Sequence, residues 1–97
     1  MSSFLLTLQA KNDLEEIHDF IAEDNPTAAL GFINSIQDKC QTLALSPEIG
    51  RTREELGFEL RSFPIKNYVI FYRIKSATVQ IIRILHSARD IEAIFNE

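Results

Sequence analysis

Cysteine, histidine, glycine and proline are all scarce in this chain, and tryptophan is absent. The lone cysteine, Cys40, can form no internal disulfide, which suits a reducing compartment. Together with only two histidines it cannot build a zinc site, and no pair of carboxylates has a spacing typical of metal sites. No metal or other cofactor is therefore expected. Three scattered glycines make no phosphate-cradling loop, and no Ser-His-Asp arrangement stands out. No run approaches the ~20 apolar residues of a membrane span, and the first residues lack a basic segment and long apolar core. A cytoplasmic protein without membrane contact is the expectation. A further absence is local: between Arg61 and Arg89 there is no acidic residue, although the protein carries a formal charge of -4.

Ninety-seven residues support one hydrophobic core, so residues 1–97 are expected to form a single domain. The charge is divided unevenly. Residues 1–50 hold two basic residues against eight acidic ones, whereas residues 51–97 hold eight basic against six acidic. Nucleic-acid binders are usually basic overall, because phosphate neutralisation supplies much of their affinity. An acidic chain with one basic region instead favours a protein partner for that region, and direct nucleic-acid binding is not expected.

The pattern of apolar residues predicts an α+β fold in the order β-α-α-β-β-β. Phe4 to Leu8 is short and apolar, as a buried strand would be. Ala10, Leu14, Ile17 and Ile21, joined by Phe20, then form one helical face, with Lys11, Asp13, Glu15, Glu16, Asp19 and Glu23 mostly off it as a solvated exterior. Asn25 and Pro26 suit the cap and first position of a second helix. Its stripe is Ala29, Phe32, Ile33, Ile36, Cys40 and Leu43, and it should end before Pro47. So short a link makes the pair an antiparallel hairpin. Residues 47–57 form the one long loop, with Arg51 and Arg53 offset by Glu54 and Glu55. Three strands of an antiparallel meander follow: Phe58 to Phe63, closed by Pro64; Tyr68 to Ile74; and Thr78 to Leu85.

A turn centred on Ser76 and Ala77 would pair Tyr72 with Ile81 and Phe71 with Ile82. Tyr68, Ile70, Tyr72, Ile81 and Leu85 would then share one face, and Val69, Phe71, Ile82 and Ile84 the other. One helical hairpin covers one face. The other should be covered by a partner or stay exposed as a binding patch. Asp90 can cap a short C-terminal helix.

Arg61, Arg73, Arg83, His86 and Arg89 remain to be explained, since arginines within apolar strands need partners. Arginine can stabilise a charged phosphorane and histidine can move a proton, so phosphodiester chemistry is one reading. Internal pairing, with Arg89 on Asp90 and His86 capping a strand end, is the other.

The segments Asn25-Pro26, Pro47…Gly50-Arg51, Leu60-Arg61…Phe63, Tyr68-Val-Ile-Phe-Tyr72-Arg73 and Ile82-Arg83-Ile-Leu-His86-Ser-Ala-Arg89-Asp90 follow a helix carrying Ala10, Asp13-Leu14, Ile17 and Ile21. In that order they resemble the ParE branch of the RelE/ParE toxin superfamily, over nearly the whole chain. Ser87 departs from the glycine frequent there. The resemblance implies a plasmid-stabilising or similar type II toxin that inhibits DNA gyrase and is neutralised by a ParD-like antitoxin, in a heterotetramer or larger assembly. It implies no catalytic residues, and makes Arg61, Tyr68, Tyr72, Arg73, Arg83, His86 and Arg89 the candidates for antitoxin binding. The RelE-like alternative is a ribosome-dependent mRNA endonuclease, with Arg61 and Arg83 at the scissile phosphate and His86 as proton shuttle. The acidic charge and the absence of a lysine-rich loop weigh against it.

Overall fold

The sheet runs β1-β5-β4-β3-β2, so the first and last strands lie side by side. The computed structural model describes residues 3–96. Along the chain come β1 (Phe4–Leu6), α1 (Leu8–Ala22), α2 (Pro26–Leu45), a 3-10 turn (Pro47–Ile49), β2 (Arg51–Thr52), β3 (Arg61–Ile65), β4 (Tyr68–Lys75), β5 (Thr78–His86) and α3 (Ile91–Phe95). β1 is parallel to β5, with Phe4 opposite Val79, and every other pairing is antiparallel. This is the expected α+β order, with a small extra strand inside the long loop.

Local chemistry sets the helix ends. Thr7 caps α1, its hydroxyl accepting the Ala10 N–H at 3.1 Å and donating to the Ile82 carbonyl at 2.8 Å. One side chain thus starts the helix and ties it to β5. Asn25 caps α2 by accepting the Ala28 N–H, and Pro26 sits in the first turn, as the sequence indicates. Asp90 caps α3 through the Ala93 N–H. The helical hairpin packs Ala10, Leu14, Ile17, Phe32, Ile36, Cys40 and Leu43 on one sheet face, against Ile70, Tyr72, Val79, Ile81 and Ile84. Cys40 is 1% exposed, and burial pushes its thiol up to about 12, so it is a core residue. Phe20 does not join this core. It is 70% exposed and lines a cleft with Tyr68 and His86.

Three expectations about the sheet need correction. The first meander strand is Arg61–Ile65 rather than Phe58 to Phe63, and Pro64 lies inside it. β2 pairs with β3 only at Arg61 and Ser62, so Pro64 occupies an edge where its missing N–H deprives no neighbour. Second, Tyr72 does pair with Ile81, but Phe71 lies opposite Arg83, not Ile82. Ile82 is the extra residue of a β-bulge, and beyond it inside and outside exchange. Ile84 consequently joins the helix-covered face and Leu85 the other.

Third, the other face is not left wholly to a partner. Leu56 and Leu60 from the loop and Ile91, Ile94 and Phe95 from α3 pack on Phe71 and Leu85, which are 0% and 2% exposed. The rings of Phe71 and Phe95 meet edge-on at 4.9 Å. α3 therefore serves as a cover for one end of that face.

The β4–β5 turn places Ser76 at φ 52 and Ala77 at φ 64, the pair of left-handed residues a tight hairpin requires. Neither is glycine or asparagine. Replacing them together (Ser76→Asn, Ala77→Gly) should stabilise the fold by about 1 kcal/mol. A rise in Tm of several degrees in a thermal melt is the expected result; no rise would mean the turn is unstrained.

Candidate functional site

The charged residues of the last third divide into groups with different partners. Arg83 lies in β5 just beyond the bulge. It donates from Nε to Asp13 Oδ2 at 2.8 Å and from Nη2 to Oδ1 at 3.0 Å. The same Oδ2 accepts the Ile84 N–H at 2.9 Å. β1 ends at Leu6, and from there α1 runs beside the open edge of β5. Asp13 stands where the next residue of a neighbouring strand would stand, accepting the backbone N–H that such a strand would have taken. Its side chain is 8% exposed and that of Arg83 25%. A bidentate fork with a third bond is the arrangement that compensates a buried carboxylate.

Asp13 was expected on the solvated side of α1, and that expectation is overturned. The signal for it was present in the sequence. Asp13 falls three residues after Ala10 and four before Ile17, within the span of the apolar stripe.

Arg61 is anchored elsewhere. Its Nη1 donates to the Gly50 carbonyl at 2.8 Å and the Glu48 carbonyl at 3.3 Å, holding the turn before β2. Tyr72 grips the same turn: its hydroxyl donates to the Pro47 carbonyl at 2.7 Å and accepts the Gly50 N–H at 2.9 Å. Tyr72 is 0% exposed, so it cannot form part of a binding surface as the sequence suggested. Burial raises its hydroxyl above the ordinary value of 10.0, against the lowering effects of the Gly50 bond and the Arg61 charge. Arg53 binds Glu55 at 2.8 Å, the local pairing expected of the loop, and this bond holds Glu55 below the usual carboxylate range.

His86 closes β5. Its ring meets Tyr68 edge-on at 5.1 Å, and its Nδ1 lies 3.0 Å from the Ala88 N–H, which needs an acceptor there. In the neutral ring the proton then resides on Nε2, so the free nitrogen is a donor. Two adjoining clefts of about 300 and 310 Å³ share Phe20, Tyr68 and His86; Arg89 lines one and Lys66 the other. Arg73 lies on β4 on the face that α3 partly covers. Its Nε is buried and has no hydrogen-bond partner among the described residues.

Arg61, Arg83 and His86 do not converge. Arg61 pairs with Tyr72 in the sheet and His86 with Tyr68. Four residues along β4 and two strand spacings across separate them, roughly 16 Å between backbones. Among the described residues no group of three or more His, Cys, Asp or Glu side chains could hold a metal ion, and no helix is long and apolar enough to cross a membrane.

This fold is shared with solved structures of toxin-antitoxin systems. The chain matches a structure of the chromosomal ParDE TA system from P. aeruginosa with a TM-score of 0.75 and 25% identity, covering 89% of this chain and 96% of that one. It matches the toxin-antitoxin complex RelBE2 from Mycobacterium tuberculosis with a TM-score of 0.58 and 26% identity, over 88% of this chain and 96% of that one. The family model described as the ParE toxin of the type II toxin-antitoxin system, parDE, matches residues 4–91, and the chain belongs to that family. Two relatives from Caulobacter vibrioides carry both names of the superfamily. Toxin ParE3 is 29% identical over 96% of this chain and 94% of its own length. Toxin RelE2 is 35% identical over 92% of this chain and 99% of its own. The protein is a type II toxin of the ParE/RelE kind.

Proposed function

We propose that this toxin acts by inhibiting DNA gyrase, without catalytic residues of its own, and is neutralised by a cognate ParD-like antitoxin. The observation that carries this reading is the dispersal of the three residues a nuclease would use. A scissile phosphate needs its cations and its proton carrier within hydrogen-bond reach of one centre. Arg83 is engaged by Asp13, and Arg61 by two backbone carbonyls some 16 Å from His86 by the strand geometry. The charge of -4 is also poorly suited to docking among ribosomal phosphates.

Ribosome-dependent mRNA cleavage is the second reading, favoured by the RelE names of relatives at 35% and 33% identity. One experiment separates the two. The purified toxin is added in parallel to a gyrase supercoiling assay and to programmed ribosomes. Loss of supercoiling with intact mRNA is expected, whereas mRNA cut in the ribosomal A site would reverse the assignment.

Antitoxin recognition falls to the candidates that remain at least partly accessible, namely Arg61, Tyr68, Arg73, Arg83, His86 and Arg89, with Arg83 already engaged by Asp13. Support for such a partner comes from the two solved structures above, both described as toxin–antitoxin systems.

A further inference from the structure

The two margins of the sheet are built differently. The β2 margin carries the devices that keep sheet edges from pairing. β2 is two residues long and holds Arg51, and beside it β3 exposes Pro64, which has no N–H to offer. The β1 margin carries none of them. Phe4-Leu5-Leu6 contains no charge, proline or glycine, and among the described residues no strand flanks it on the side away from β5. The bonds at either end of β1 fix its backbone directions. The Ser3 carbonyl accepts from the Val79 N–H, and the Thr7 N–H donates to the Ile81 carbonyl. Such residues alternate in a parallel ladder, so Leu5 also faces β5, while Phe4 and Leu6 turn their N–H and C=O groups to the open side.

Apolar surface lies along the same margin. Leu5 is 63% exposed and Leu8, at the start of α1, is 71% exposed. Phe4 and Leu6 are only partly buried at the rim of the helix-covered core. Leu5 stands on the opposite face, beside a depression of about 210 Å³ that it lines with Lys75, Ser76, Thr78 and Gln80. A short, uncharged, apolar strand with free donors and acceptors is a template for another strand.

The placing of those groups identifies the strand. A donor and an acceptor lie on each side of Leu5, which is what a two-fold axis through Leu5 requires. A second β1 laid antiparallel sets Phe4 opposite Leu6 of the second copy and Leu6 opposite its Phe4, closing backbone hydrogen bonds on both sides of the axis. Leu5 then meets its own counterpart in the non-hydrogen-bonded position, where cross-strand side chains approach most closely. The two α1 helices leave the junction in opposite directions. We propose that a second copy of this chain pairs through β1, joining two five-stranded sheets into one continuous sheet. An unrelated strand could take the same hydrogen bonds, but the match of Leu5 to Leu5 belongs to a copy of this chain.

The test uses the full-length toxin, untagged at its first strand and separated from antitoxin. Sedimentation velocity at rising concentration should show a monomer–dimer equilibrium. Leu5→Lys sets like charges directly opposite each other across the axis and should weaken the dimer at least ~10-fold. The melting curve of the dilute monomer should not change, because Leu5 lies outside both packed clusters. Leu5→Cys should form a disulfide-linked dimer under mild oxidation, since a non-hydrogen-bonded pair holds its Cα atoms about 4.5 Å apart, within disulfide reach. The wild type should not, its one cysteine, Cys40, being buried. Neither should Phe58→Cys, exposed on the loop that leads into β3. A chain that stays monomeric at every concentration overturns the proposal. So does a dimer that survives Leu5→Lys and leaves Leu5→Cys unlinked. A monomeric chain whose antitoxin affinity falls in Leu5→Lys would assign this edge to the antitoxin instead, and also overturn it. None of these results bears on the choice between gyrase and ribosome.

Discussion

Asp13→Ala is expected to cost about 3 kcal/mol of folding stability, a large share of what a domain of this size possesses. The mutation removes the Asp13 carboxylate from both the Arg83 guanidinium and the Ile84 N–H at once. Arg83→Met should cost a similar amount, because it strands the more deeply buried Asp13 carboxylate, which keeps only its bond from Ile84. Replacing both residues with apolar ones of similar volume should recover part of the loss. Urea unfolding of the two single variants and the double variant measures this directly. If the destabilisations of the two single variants simply add to that of the double variant, the two side chains are not coupled as the bidentate geometry requires.

The second large effect is expected at Gly50. A Cβ at this position would overlap the Tyr72 hydroxyl and lie 2.7 Å from two carbons of a fully buried ring. Tyr72 cannot swing aside, because its hydroxyl is bonded to both Pro47 and Gly50. Gly50→Ala should therefore destabilise by about 2–3 kcal/mol, the range for forced overpacking. Tyr72→Phe removes the hydroxyl but strands the buried Gly50 N–H, for an expected loss of about 2 kcal/mol.

The two variants differ in alkali. Burial raises the Tyr72 hydroxyl in the fold above its ordinary 10.0, so the contribution of its protonated form is complete below pH 10 and is lost as pH rises through the folded value. Wild type and Gly50→Ala should both lose stability there. Tyr72→Phe should lose less than wild type does as pH rises above 10. Equal slopes would show that Tyr72 does not titrate with unfolding.

Much of the fold was legible because its signals are local. Caps at Asn25 and Asp90, the proline after α2 and the period-2 strands each depend on a few neighbouring residues. The bulge was not, since no glycine marks Ile82. What stabilises it is a carboxylate on α1, 71 residues from the Ile84 N–H that it accepts. Missing that one residue exchanged Ile84 and Leu85 between faces. It also left Arg83 looking available for a partner or a phosphate, when its partner was an aspartate assigned to solvent. The candidate site was thus legible in composition but not in geometry. The acid-free stretch is real, yet its arginines are distributed over two sheet faces and opposite ends of the strands.

The parallel pairing of β1 with β5 also constrains when this protein can exist in folded form. Phe4 must find Val79 and Thr7 must find Ile82, 75 residues away in each case. During synthesis the helical hairpin emerges complete but without the strands that cover its apolar side. α1 cannot be moored until β5 has left the ribosome. Contacts so remote in sequence form late and slowly, because the intervening loop must close before they return anything. A chain interrupted before β5 lacks the strand that joins β1 to the rest of the sheet, so the folded toxin appears only after β5 has been made.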